Sequence, residues 1–120
     1  MDILGRHVFI DGWGVAFARL DSEELILSFL EHACNQAGAT ILHSWVHRFE
    51  PQGVTALVGL AESHASIHTY PEIGAYFVDM FTCGDLDPRA AATMLVGRLG
   101  GTAEGWFWER GAGRSPVRLF

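Results

Sequence analysis

One stretch of the sequence, residues 61–72, concentrates side chains that can act as nucleophiles, acids or bases. It contains Ser63, His64, His68 and Glu72, and the apolar run 54–60 leads directly into it. A short apolar run of this kind is typical of a buried strand. We therefore expect a reactive polar segment at the end of a core strand.

Six histidines raise the question of a metal site. His43 and His47 are four residues apart on a predicted strand, a spacing of about 13 Å that prevents chelation of one ion. His64 and His68 have the same spacing in a segment predicted to be a loop, where spacing alone decides nothing. No zinc pattern of cysteines accompanies either pair, so we predict no metal.

Two further patterns of reactive residues are incomplete. Gly12 and Gly14 follow a predicted strand, but no helix begins directly behind them and the third glycine of a phosphate-binding loop is missing. Ser63, His68 and Glu72 are the residue types of a serine hydrolase, although Ser63 lacks the flanking glycines of a nucleophile elbow. A serine hydrolase stays open as an alternative, as does a binding module that never cleaves itself.

Length and composition limit the class of protein. A chain of 120 residues fits one domain with one core, so we predict a single domain over residues 1–120. The formal net charge of −6 argues against nucleic acid as a partner, because no basic patch is present to replace phosphate counterions. No apolar run approaches the roughly 20 residues of a membrane span and no secretion signal is recognisable, so we expect a cytoplasmic protein without a membrane partner. Cys34 and Cys83 are expected to be reduced thiols, with Cys34 in the core.

The pattern along the chain predicts five strands and two helices. Strands are expected at residues 7–11, 39–49, 54–60, 75–81 and 102–109, and helices from about 21 to 38 and from about 87 to 100, with 111–120 a loose tail. A hairpin joined at 51–53, together with only two helices, favours an α+β fold. We predict a two-layer α/β sandwich in which an antiparallel sheet carries both helices on one face.

The other face of that sheet is predicted to be apolar and uncovered. It would carry exposed aromatic residues such as Trp45, Phe49, Trp106 or Trp108. A large apolar face with no helix to cover it suggests burial against a second copy. We therefore predict a homo-oligomer.

The reactive segment and its flanks resemble one enzyme family. Residues 62–72 (ESHASIHTYPE), followed by 78–84 (VDMFTCG), are similar to the signature of the bacterial and archaeal S-adenosylmethionine decarboxylases, which depend on a pyruvoyl group made from their own chain. The similarity extends to residues 4–7, 37–40 and 49–54, and so covers nearly everything before the last strand.

The resemblance implies self-cleavage between Glu62 and Ser63. The Ser63 hydroxyl would attack the Glu62 carbonyl, and the resulting ester would eliminate to dehydroalanine and hydrolyse to a pyruvoyl group with loss of ammonia. The products would be a β chain, residues 1–62, and an α chain, residues 63–120, whose pyruvoyl N-terminus forms a Schiff base with the substrate. The oligomer would be a dimer of these processed pairs.

The resemblance also assigns roles in proton transfer. His68 would accept a proton during processing, as suits an imidazole that titrates near neutrality. Cys83 would donate a proton to the substrate α-carbon after carbon dioxide leaves. Thr55 occupies a position where a hydroxyl group assists processing.

The reaction implied is decarboxylation of S-adenosylmethionine to the aminopropyl donor of spermidine synthesis. Phe49 and Tyr70 would hold the adenine, and Glu72 would bind the ribose hydroxyls. Ala65 and Tyr70 depart from the larger aliphatic residue and the tryptophan frequent at these positions. The alternative is therefore a homologue with a retuned cleft that decarboxylates ornithine or arginine.

Overall fold

The computed structural model describes residues 2–120, which form one antiparallel sheet with helices packed on one of its faces. The strands are β1 (Gly5–Trp13), β2 (Ile41–Arg48), β3 (Val54–Leu60), β4 (Ser63–Tyr70), β5 (Ala75–Cys83), β6 (Thr102–Arg110) and β7 (Val117–Arg118). The helices are α1 (Phe17–Leu20), α2 (Glu23–Gln36) and α3 (Arg89–Leu99), with a short 3₁₀ helix at Pro71–Ile73. The order across the sheet is β2-β3-β4-β5-β1-β6-β7. The predicted α+β sandwich is confirmed.

The sequence predicts Asp21 or Ser22 as the cap of the first long helix and Asp87 as the cap of the second. Ser22 is the N-cap of α2, whereas the N-cap of α3 is Pro88. The Ser22 hydroxyl accepts a hydrogen bond from the Leu25 N–H at 3.2 Å, which satisfies a free donor at the start of α2. The Asp87 carboxylate accepts from the Arg89 N–H at 3.0 Å at the start of α3. None of the helices in residues 2–120 is long and apolar enough to cross a membrane.

Alternate residues of the strands point toward the helices and form the core. The strand residues of the hydrophobic core are Val8 and Ile10 in β1, Val54, Ala56, Val58 and Leu60 in β3, Ala65 and Ile67 in β4, Tyr76, Val78 and Met80 in β5, and Phe107 in β6. They pack against α2 and α3 together with the buried Cys34. Because strand side chains alternate with a period of two, the residues between them lie on the opposite face. We call this second face the open face.

The open face is apolar over much of its area, and no helix covers it within residues 2–120. Trp45 in β2, Leu57 in β3 and Phe77 in β5 are 45%, 44% and 43% exposed on this face. Trp106 and Trp108, which we expected to be exposed, lie on this face but are half-buried, and the guanidinium groups of nearby arginines stack on their rings.

The segment predicted to be a loop contains a strand. Ser63–Tyr70 forms β4 and pairs with β3 on one side and β5 on the other, near the centre of the sheet. The prediction was wrong because the period of two is hard to recognise here: only Ala65 and Ile67 are apolar, and the next core-facing position is the polar Thr69. Ala65 and Ile67 face the core, whereas His64, Ser66 and His68 alternate with them and face the open side.

Two glycines leave room for aromatic rings at places where the sequence predicted a strand end and a loose tail. Gly12 continues β1 beyond its predicted end at residue 11, and a Cβ atom there would lie 2.0 Å from the Tyr76 ring. The predicted loose tail instead adds β7 to β6, and the Phe120 ring lies over Gly105, 2.7 Å from where a Cβ atom would be. The tail is therefore part of the fold.

Candidate active site

The predicted scissile bond lies in the tight turn that joins β3 to β4. Leu60 pairs with Ser63, so Ala61 and Glu62 form the turn and the Glu62–Ser63 bond enters β4. Ser63 has a φ of +149°, and it is the one non-glycine residue with positive φ among residues 2–120. This backbone region is nearly restricted to glycine and costs other residues about 1–3 kcal/mol. The peptide unit at the predicted cleavage point is therefore strained.

Glu62, on the acyl side of that bond, accepts hydrogen bonds through both its backbone carbonyl group and its side chain. The Glu62 carbonyl oxygen accepts a hydrogen bond from the backbone N–H of Cys83 at 3.0 Å, and the Glu62 side chain accepts one from the Thr40 N–H at 3.0 Å. An N–H aimed at a carbonyl oxygen stabilises negative charge that develops there. The Cys83 thiol is exposed and forms no disulfide, and it belongs to the same residue that polarises the carbonyl.

A hydrogen-bonded cluster centred on Asp79 lies beside Ser63 on the open face. Ser63 Oγ is 3.4 Å from His64 Nδ1, and His64 Nε2 is 3.0 Å from Asp79 Oδ2. His7 Nε2 reaches the same oxygen at 2.8 Å, and the Ser66 hydroxyl donates to Asp79 Oδ1. Burial raises the pKa of Asp79, but the hydrogen bonds from His7, Ser66 and His64 outweigh it and hold the pKa well below its usual range. Asp79 is therefore ionised at neutral pH.

The directions of these hydrogen bonds favour a proton network over a metal centre. One ligand atom each from His7, His64 and Asp79 lies within 4.8 Å of the others, which is close enough to hold an ion. However, Arg110 Nη1 lies 3.1 Å from His7 Nδ1, and a guanidinium group can only donate. His7 Nδ1 must then accept, so its Nε2 carries the proton and donates to Asp79 instead of binding a metal.

Sequence reasoning gave no role to this cluster. It left His64 and Ser66 without a function, and it did not single out His7 or Asp79 as functional residues. The available signal was the period of two in residues 63–70, which places His64 and Ser66 on one face of β4. Assigning β4 as a strand would have brought both onto the same face as Asp79.

The remaining predicted residues come together at the other end of β4. Thr55 and His68 are paired across β3 and β4, and Thr55 Oγ1 is 3.1 Å from His68 Nδ1. Both line a cleft of 260 Å³ together with Phe49, Tyr70 and Glu72. The cleft thus contains all three predicted substrate-binding residues.

The walls of this cleft are aromatic and acidic. The Tyr70 ring in the wall meets the Phe77 ring, which does not itself line the cleft, edge to face with centroids 5.5 Å apart. The Gln52 side-chain N–H donates to a Glu72 carboxylate oxygen at 3.4 Å. Ala65 is buried on the helix side of the sheet and does not line the cleft. Of the two departures in the motif, only Tyr70 shapes the cleft wall.

The two groups of residues are far apart within one chain. Ser63 and His68 are five residues apart on the continuous strand β4, a separation of about 16 Å at roughly 3.3 Å per residue. Ser63 lies opposite Thr82 on β5, whereas His68 lies opposite Phe77. One chain therefore keeps the predicted cleavage point and the predicted proton acceptor at opposite ends of a strand.

Comparison with known families decides which family shares these features. The sequence profile of a family described as S-adenosylmethionine decarboxylase matches residues 6–105. The chain belongs to this family. The S-adenosylmethionine decarboxylase family is the one predicted from the motif at residues 62–84, and that prediction is confirmed.

Relatives in the S-adenosylmethionine decarboxylase family match nearly the whole chain. The S-adenosylmethionine decarboxylase proenzyme of Anoxybacillus flavithermus is 41% identical over 120 residues, which cover 99% of this chain and 95% of the relative. The proenzyme of a Geobacillus species is 43% identical over 100 residues, 83% of this chain and 81% of the relative. A crystal structure of the adenosylmethionine decarboxylase from Aquifex aeolicus has a TM-score of 0.87 at 36% identity and covers 96% of this chain and 97% of that chain. The fold and the decarboxylase class therefore agree with the sequence prediction.

Proposed function

We propose that this chain is a proenzyme that cuts itself between Glu62 and Ser63 and then decarboxylates S-adenosylmethionine with the pyruvoyl group formed from Ser63. The observation that carries the proposal is the strained φ of Ser63 beside a carbonyl group polarised by the Cys83 N–H. The relatives named as proenzymes support a precursor that matures by cleavage.

Cleavage begins with attack of the Ser63 hydroxyl oxygen on the Glu62 carbonyl carbon. As the new O–C bond forms, negative charge collects on the oxygen that already accepts the Cys83 N–H at 3.0 Å. One such donor contributes about 10²–10³ to a rate. The C–N bond then breaks, the hydroxyl proton is transferred to the Ser63 nitrogen, and an ester joins the two parts of the chain. Breaking this bond releases the backbone strain at Ser63.

The ester is resolved by elimination. A base removes the Ser63 α-proton, the Cβ–Oγ bond breaks, and the products are the Glu62 carboxylate and dehydroalanine. Water then replaces nitrogen to give the pyruvoyl group and ammonia. We assign the removal of this α-proton to His68, whose Nδ1 lies 3.1 Å from Thr55 Oγ1. Because His68 lies about 16 Å from Ser63 along its own strand, a second copy must supply it.

Two copies paired through their open faces would complete two equal sites. The exposed Trp45, Leu57 and Phe77 give that face the apolar character of a contact surface. In a two-fold pair with antiparallel β4 strands, the Ser63 end of one copy lies over the His68 end of the other. Each site would then combine Ser63 and Cys83 of one copy with the 260 Å³ cleft of its partner. This is the dimer of processed pairs expected from the sequence.

Substrate binding and turnover divide between the same two groups of residues. The pyruvoyl group, once made, supplies an electron sink for the electrons left behind by carbon dioxide. Phe49 and Tyr70 stack on adenine and favour the sulfonium cation, while Glu72 accepts hydrogen bonds from the ribose hydroxyls. The Cys83 thiol protonates the substrate α-carbon. The product would be the aminopropyl donor of spermidine synthesis, and the unbridged cysteines suit a cytoplasmic enzyme.

Mass analysis and carbon dioxide release test this proposal together. The denatured protein should give two fragments, residues 1–62 and 63–120, the second without a free α-amino group. The pair should release carbon dioxide from S-adenosylmethionine but not from ornithine or arginine, and Ser63→Ala should abolish both cleavage and release. A fully active chain that stays uncut would refute the formation of a pyruvoyl group. Release of carbon dioxide from ornithine or arginine alone would refute S-adenosylmethionine as the substrate.

A further inference from the structure

The first step of the proposed cleavage needs a base at the Ser63 hydroxyl. Serine is a weak nucleophile at neutral pH, and a base can activate it only within hydrogen-bond reach. His68 lies about 16 Å away along β4 in the same chain. Among residues 2–120, the imidazole within hydrogen-bond reach of Ser63 Oγ is His64, with Nδ1 at 3.4 Å.

The surroundings of His64 fix which of its nitrogens can accept that proton. Asp79 is ionised and can only accept hydrogen bonds, so His64 Nε2, at 3.0 Å from Asp79, carries the ring proton in the neutral form. The lone pair of the neutral ring is then on Nδ1, which faces Ser63 Oγ. His7 and Ser66 also donate to the Asp79 carboxylate and fix its orientation, and Arg110 in turn fixes His7.

We infer that His64 is the general base for the Ser63 hydroxyl during self-cleavage, and that Asp79 is the residue that positions it. This inference rests on the proposed function, because it assigns a step within the proposed cleavage. Two histidines then serve two different protons. His64 of the same chain takes the hydroxyl proton, and the partner's His68 takes the α-proton of the ester.

The proton balance closes within this group of residues. His64 Nδ1 takes the proton as the bond between Ser63 Oγ and the Glu62 carbon forms. The imidazolium ion is stabilised by the Asp79 carboxylate, as in other nucleophile–imidazole–carboxylate arrangements. Its Nδ1–H is then donated to the Ser63 nitrogen as the C–N bond breaks, so His64 ends neutral and no other reactant is needed. The strain at Ser63 and the Cys83 N–H act on the same bond.

Hydroxylamine separates the two proton transfers, because it cleaves an ester but leaves an ordinary peptide bond intact. Newly translated chains are followed on denaturing gels with and without hydroxylamine. We expect His64→Ala to slow cleavage by about 100-fold or more, with no gain from hydroxylamine, because no ester forms. His68→Ala should also stay uncut alone, but hydroxylamine should cut it at Glu62. His32→Ala, on the exposed side of α2, is the matched control and should be cut like the wild type.

Each outcome decides the inference. Free imidazole should partly restore cleavage of His64→Ala, which a purely structural role would not allow. Cleavage of His64→Ala at the wild-type rate, or an ester that hydroxylamine cuts in it, would overturn the role of His64 while leaving self-cleavage intact. A wild-type chain that stays uncut would instead overturn the proposed function. If His64→Ala does not fold, His64→Gln, which keeps an N–H donor for Asp79 but no base, gives the same decision.

Discussion

Co-production of two defective variants tests whether each site is shared between copies. Ser63→Ala removes the nucleophile, and His68→Ala removes the proposed base for the α-proton, so neither variant alone should form a pyruvoyl group. Because about 16 Å of β4 separates the two residues, a His68→Ala chain can be matured only by a partner. In a mixed pair, one site joins intact Ser63 to the partner's intact His68, while the other site carries both defects.

The expected yield follows from the number of intact sites. With equal amounts of the two chains, about half of all pairs are mixed, and each mixed pair holds one intact site of two. About half of the His68→Ala chains should therefore be cut, none of the Ser63→Ala chains should be cut, and decarboxylation should return to about a quarter of the wild-type level. Different affinity tags on the two chains allow each to be followed by intact mass. Co-production is required because pairing must precede maturation.

The control and the refuting result use the same tags. When the partner is the double variant Ser63→Ala and His68→Ala, no intact His68 is present and the His68→Ala chain should remain uncut. If mixed pairs are recovered through both tags and their His68→Ala chains are still uncut, the shared site is refuted. Efficient cutting of His68→Ala produced alone would refute the role of His68.

Three further variants test single contacts. Cys83→Ala keeps the backbone N–H that polarises Glu62, so cleavage on gels should persist while carbon dioxide release falls by about 100-fold or more. Although burial raises the pKa of Asp79, its hydrogen bonds lower it below the unfolded value of about 3.9, so its stabilising effect is present above that pH and lost below it. The free energy of unfolding in urea is therefore compared between the uncut Ser63→Ala chain and the same chain with Asp79→Asn added. From about pH 5 to about pH 2 it should fall by at least about 1 kcal/mol more in the chain that keeps Asp79. The Tyr76 hydroxyl is buried without a hydrogen-bond partner in residues 2–120, so Tyr76→Phe should raise the free energy of unfolding by about 1 kcal/mol, and an equal loss would contradict this.

The sequence predicted most of the fold because local patterns were strong. Ser22 and Asp87 marked the helix starts, and the apolar run 54–60 marked a core strand. It failed at β4, where polar residue types concealed a strand pattern. It also failed at the tail, where pairing of β7 and the fit of Phe120 over Gly105 depend on residues distant in sequence.

The candidate site was also predicted only in part. The family motif supplied Ser63, His68 and Cys83 as a set, but only the register of β4 shows that His68 lies at the far end of the strand. The contact between His64 and Asp79 joins residues 15 positions apart in sequence, and it depends on that same register. Residue types could therefore suggest the chemistry, whereas strand pairing determines which groups of one chain can meet.

The strand order has a consequence for a chain that has been cut at Glu62. The N-terminal fragment would contain β1, β2 and β3, but β1 lies between β5 and β6, which belong to the other fragment. The two fragments are thus interleaved, and neither can leave without dismantling the sheet. Maturation would change a molecule that refolds by itself into one whose two halves must find each other in solution. Recovery from unfolding would then depend on the concentration of the two fragments, so dilution after unfolding would prevent the mature form, but not a single precursor chain, from regaining its sheet.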